Sequence, residues 1–182
     1  MVTQLTSNAT AGKFRADGLR FGVISSRYNN SITDSLERAA LEALKKGGAS
    51  EKQIEVLSVP GAFELPLAAK KLAESGKVNA IIAIGCVLRG ETSHYDYICS
   101  EVARGIQLAQ MDTGVPVIFC VLTCDTMEQA VERAGPGEGN KGREAGLAAL
   151  EMANLFRELS GTVSRGIKTT AKKTTKKRKA RR

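Results

Sequence analysis

One stretch gathers the residue types able to move protons and hold anions: Gly85–Tyr97, GCVLRGETSHYDY. It contains the only histidine of the chain, His94, and an imidazole can give and take a proton near neutral pH. Gly90 lets a ligand come close to the backbone. Free N–H groups and hydroxyls ahead of a helix form a cradle for an oxyanion or a phosphate. An ordinary surface histidine in a loop before a helix would show the same residues. A second site is Pro60–Pro66, where flanking prolines make a rigid turn and Glu64 opens a helix. A carboxylate there is favoured by the helix dipole and can also hold hydroxyls. A third is Arg27-Tyr28-Asn29-Asn30, in which Tyr28 can stack on a planar ring or rest on the surface. Arg133 and Lys141 flank the glycine-rich connection Gly135–Gly142 and can pair with a phosphate or stay solvated.

The elements that must position these residues follow from hydrophobic periodicity. Phe21–Ser25, Ile54–Val59, Ala80–Ile84 and Val115–Leu122 read as strands. Ala80–Ile84 is apolar throughout, as in a strand covered on both faces. Helices are expected from Asn30 or Ser31 to Gly47, over Phe63–Ser75, over Tyr97–Thr113, over Met127–Ala134, and from the glycine-rich connection to about Leu159. The alternation predicts an α/β fold, a parallel sheet with helices on both faces. In such sheets ligands bind beyond the carboxyl ends of the strands. The segments after the strands, Ser25–Asn30, Pro60–Glu64, Gly85–His94 and Thr123–Thr126, therefore gather on one edge.

Composition excludes several classes. The chain has 182 residues, 42% of them hydrophobic, which suits one soluble domain. No apolar run approaches the ~20 residues of a membrane span, and the first twenty residues lack a secretory signal, so the expected address is cytoplasmic. Cys86, Cys99, Cys120 and Cys124 show no metal-ligand spacing and are expected to be free thiols, and no metal site is expected. The net charge of +8 is unevenly placed. Residues 162–182 carry ten Lys/Arg and no Asp/Glu, leaving residues 1–161 with 17 basic and 19 acidic side chains, a net −2. The expected domain plan is an N-terminal arm over 1–13, one domain over 14–160, and a disordered basic tail over 161–182 that is either solvated or bound to a polyanion.

Taken together, Arg27-Tyr28-Asn29, VPGAFELP at 59–66, GCVLRGETSHYDY at 85–97, GVPVIF at 114–119 and ERAGPGEGNKG at 132–142 resemble the 6,7-dimethyl-8-ribityllumazine synthase family. The resemblance covers about residues 14–160. It implies a transferase that condenses 5-amino-6-(D-ribitylamino)uracil with 3,4-dihydroxy-2-butanone 4-phosphate in the penultimate step of riboflavin biosynthesis. The substrate brings its own amine, so no protein nucleophile and no cofactor are implied.

Residue by residue, the resemblance makes His94 the proton-transfer group and Tyr28 the ring-stacking residue, where the family more often has Phe or Trp. Ala62, Phe63 and Glu64 would hold the ribityl chain and part of the uracil. Cys86, Val87 and Leu88 would contact the pyrimidine through backbone. Glu91 and Thr92 fall at the phosphate loop. Phe119, Arg133 and Lys141 would come from a neighbouring subunit, Arg133 for the phosphate and Lys141 beside the uracil. The resemblance further implies a flavodoxin-like αβα sandwich with a four-stranded parallel sheet, an N-terminal arm that adds a strand to a neighbouring subunit, a homopentamer, and a 60-subunit icosahedral shell. Association with riboflavin synthase is a further implied partnership. Two readings from other classes stand beside it: a non-catalytic lumazine- or flavin-binding shell protein, and an oligomer that binds nucleic acid through the tail.

Overall fold

Four apolar segments form the strands β1 (Phe21–Ser26), β2 (Ile54–Val59), β3 (Ala80–Leu88) and β4 (Val117–Cys124). All are parallel, in the order β2-β1-β3-β4. The helices α1 (Asn30–Lys46), α2 (Leu65–Glu74), α3 (His94–Thr113), α4 (Met127–Ala134) and α5 (Lys141–Lys179) cover both faces, giving the expected α/β three-layer sandwich. This computed structural model describes residues 14–179, with side chains described through 160. The arm expected over 1–13 and the tail side chains expected to be solvated or polyanion-bound lie outside these.

The two-residue period of β3 explains why an uninterrupted apolar run is needed. Ala80, Ile82, Ile84 and Cys86 point into one core with α1, α4 and α5, while Ile81 and Ala83 point into a second core with α2 and α3. Each buried isoleucine contributes about 1.5–3 kcal/mol. On the first face, α5 lies close against α1 because Gly142 and Gly146 present no side chain. A Cβ at Gly142 would overlap the Leu36 carbonyl, and one at Gly146 would fall 2.7 Å from Ala43 Cβ and 2.8 Å from the Ala40 carbonyl oxygen.

Element boundaries depart from the sequence expectation at functional places. β3 does not stop at Ile84. It continues through Gly85–Leu88, because β4 pairs with it as far as Leu88↔Cys124. β4 starts at Val117 rather than Val115, since Pro116 has no N–H to give the ladder. The chain between Pro60 and α2 is a 3-10 turn over Ala62–Glu64, so α2 begins at Leu65 rather than Phe63. Helix α3 begins at His94 rather than Tyr97, and α5 runs past Leu159.

Candidate functional site

The strand order sets where a ligand can sit. From β1 the chain goes to β2 on one side of the sheet and then crosses to β3 on the other, so β1 and β3 flank the switch point of the topology. A cleft of about 680 Å³ opens there. It is lined by Tyr28 and Asn29 after β1, Gly61–Glu64 after β2, Cys86–Leu88 at the end of β3, and His94 and Ile98 on α3. Eight of the candidate residues thus come together: Tyr28, Ala62, Phe63, Glu64, Cys86, Val87, Leu88 and His94.

Local hydrogen bonds fix these walls. The amides of Arg27 and Tyr28 both donate to the Pro60 carbonyl, at 3.2 Å each, tying the β1 loop to the β2 loop. Asn29 has φ 57° and ψ 46°, the left-handed conformation that Asn tolerates better than most residues. Its side-chain amide donates to the Cys86 carbonyl at 2.9 Å, so it joins the β1 loop to β3 instead of capping α1. Sequence reading placed the cap at Asn30 or Ser31 and missed this tie. The ring of Tyr28 lies over Gly61, close enough that a Cβ there would come within 2.8 Å of Cδ2. Glu64 Oε2 accepts from the Gly61 amide at 2.9 Å, which orients the carboxylate into the cleft.

The chemistry available here is binding and proton transfer. Tyr28 is 68% exposed and Phe63 57%, both on the cleft. A planar ring entering the cleft can lie on Tyr28. The imidazole of His94 is exposed and has no hydrogen-bond partner among the described residues, leaving both nitrogens open to a ligand. Burial, with Cys124 nearby, pushes the Cys86 thiol up to about 11, so Cys86 stays protonated at neutral pH and is no nucleophile. All four cysteines are free, and among the described residues no three His, Cys, Asp or Glu side chains are placed to hold a metal ion. No described helix is long and apolar enough to cross a membrane.

The remaining candidates lie elsewhere. Glu91 and Thr92 are exposed on the loop before α3 and do not line the cleft; Thr92 Oγ1 accepts from the His94 amide at 3.4 Å. Phe119, Arg133 and Lys141 meet in a second cleft of about 390 Å³, along the outer edge of β4 and against α4 and α5. Phe119 is 44% exposed there. Arg133 Nη1 donates to the Gln129 carbonyl at 3.0 Å, and Lys141 Nζ pairs with Glu144 at 2.8 Å. The two clefts have no lining residue in common. Over residues 18–157 the chain matches the model of a protein family described as 6,7-dimethyl-8-ribityllumazine synthase.

Proposed function

We propose, for a chain that belongs to the 6,7-dimethyl-8-ribityllumazine synthase family, the condensation of 5-amino-6-(D-ribitylamino)uracil with 3,4-dihydroxy-2-butanone 4-phosphate to 6,7-dimethyl-8-ribityllumazine, inorganic phosphate and water. Family membership supports a riboflavin-pathway condensation by a transferase. The observation that carries the specific reading is the convergence of Tyr28, Ala62–Glu64, Cys86–Leu88 and His94 on one cleft of ordinary ligand-site size. The uracil ring stacks on Tyr28 while Glu64 accepts ribityl hydroxyls. The substrate amine attacks the ketone to give an imine with loss of water; phosphate is eliminated, and ring closure with loss of a second water forms the product. His94 exchanges protons in these steps. Holding the two reactants together supplies much of the acceleration.

The second cleft motivates the quaternary part of the proposal. Phe119, Arg133 and Lys141 sit apart from the first cleft in one subunit and complete the site of a neighbouring copy, with Glu91 and Thr92 between them as the phosphate loop. The assembly is a homopentamer, and twelve pentamers form a 60-subunit shell. The outer edge of β2 is free in the described chain, with Val56 47% and Leu57 37% exposed, and residues 1–13 of a neighbour add a strand there. The enzyme works in the cytoplasm, alongside riboflavin synthase.

One assay decides the reaction: purified protein with both substrates, followed by lumazine fluorescence and phosphate release. No acceleration over the uncatalysed condensation refutes it, and flavin binding without turnover would favour the non-catalytic shell protein. Sedimentation separates pentamer from shell. The charge of residues 162–182 supports a second activity, polyanion binding, multiplied by avidity in an oligomer. Truncation after Gly161 should abolish salt-sensitive binding to nucleic acid and leave synthase turnover intact.

A further inference from the structure

The end of β3 passes directly into Arg89, a side chain that none of the steps above uses. Its Nε donates to Asp125 Oδ1 at 2.7 Å and its Nη1 to Asp96 Oδ1 at 3.1 Å. The guanidinium lies 4.0 Å from the centre of the Tyr95 ring, and the Arg89 amide donates to the Cys124 carbonyl at 3.0 Å. One residue therefore ties together the ends of β3 and β4 and the first turn of α3.

Only Gly90, Glu91, Thr92 and Ser93 separate Arg89 from His94. Among the described residues, the hydrogen bonds of these four reach no further than Tyr97. The loop thus takes its position from its two ends, and both ends meet at Arg89. The chain enters the loop through Arg89 itself and leaves it into the turn held by Tyr95 and Asp96. The charges point the same way. Asp96 and Asp125 would repel a phosphate arriving at this loop, and the guanidinium between them offsets that repulsion.

We propose that Arg89 is a positioning residue for the phosphorylated substrate, setting the Gly90–Ser93 loop and His94 while screening Asp96 and Asp125. This rests on the condensation reading above. Lysine replaces it only in part, keeping the charge, because one ammonium neither spans two carboxylates nor stacks flat on Tyr95.

The test compares wild type, Arg89→Ala and Arg89→Lys, measuring kcat, a KM for each substrate, the inhibition constant of inorganic phosphate, and the melting temperature. In Arg89→Ala the KM for the butanone phosphate and the phosphate inhibition constant should rise about ten-fold, as for loss of a charge-assisted network. The KM for ribitylaminouracil should stay within about two-fold, since it depends on Tyr28 and Glu64. Arg89→Lys should fall between. Adding Asp96→Asn to Arg89→Ala should recover part of the phosphate affinity, which loss of structure alone would not allow. The melting temperature should barely move, because these ion pairs are exposed. An active wild type with unchanged phosphate constants in Arg89→Ala overturns the clamp, as does an equal rise in both KM values. An inactive wild type refutes the reaction instead, and phosphate binding by the same variants, measured calorimetrically, still decides the clamp.

Discussion

Replacing Gly61 by alanine should cost activity without costing stability. The position has φ −137° and ψ −179°, extended backbone that alanine adopts freely, so the change is purely steric. The new Cβ would stand 2.8 Å from Tyr28 Cδ2, 3.0 Å from Cε2 and 3.2 Å from Glu64 Oε2, against an ordinary contact of 3.4 Å or more. The ring must move by about 0.6 Å or more, and a displacement near 1 Å in a bound geometry costs on the order of 10²-fold in rate. Gly61→Ala should therefore lower kcat/KM for ribitylaminouracil by roughly ten-fold. Tyr28 is 68% exposed and free to swing, so the loss of stability should stay below about 1 kcal/mol. Steady-state kinetics in both substrates and thermal unfolding read the two effects. A cycle with Tyr28→Ala isolates the cause: once the ring is gone, Gly61→Ala should have little left to do. Activity within two-fold of wild type would refute the reasoning, and so would equal losses with and without the ring.

Three further outcomes test other parts. His94→Ala should lower kcat on the order of 10²-fold while leaving both KM values near wild type, with residual turnover from proximity; full activity would remove His94 from the mechanism. Gly142→Ala sets two effects of opposite sign against each other: helix propensity alone would stabilise by about 1 kcal/mol, whereas overlap with the Leu36 carbonyl should destabilise by about 1–3 kcal/mol. The melting temperature should fall by several degrees, and a rise would show that α5 does not pack this closely on α1. Burial pushes the Cys120 thiol from its ordinary 9.0 up to about 12. The folded state then holds that proton more tightly than the unfolded one. The stability this confers is complete below pH 9 and is lost as the pH rises toward 12. Cys120→Ala should flatten the fall of urea midpoints over that range, and parallel curves would refute the assignment.

The fold was legible in the sequence because each strand is a short, mostly apolar run, β3 being buried on both faces, and helices such as α1 and α2 carry one apolar stripe. The cleft was legible in part, since the loops after β1 and β2 and the end of β3 hold unusual polar and glycine residues. What escaped was set by pairing across the chain. Gly85 looked like the start of a loop, yet it sits in β3 opposite Val121, where its lack of a side chain lets Leu65 and Ala62 close over the strand. Asn29 read only as part of the loop Arg27–Asn30 ahead of a helix, yet its amide reaches Cys86, 57 residues on. Arg89 finds Asp125, 36 residues on, and nothing local marks the pair. Likewise Thr123–Thr126, expected to follow the last strand, does not join the first cleft: Thr123 belongs to β4 and lines the second cleft, and Asp125 pairs with Arg89.

The separation of the two clefts has a genetic reading. A subunit with His94→Ala keeps an intact β4 edge, and one with Arg133→Ala keeps an intact first cleft. In the proposed assembly, each variant alone would be defective at every subunit junction. Co-assembled in equal amounts, about one junction in four would join two unmutated halves, as random head-to-tail contacts require. Two impaired alleles would then complement each other, and the activity recovered would count the junctions at which one copy lends its edge to the next.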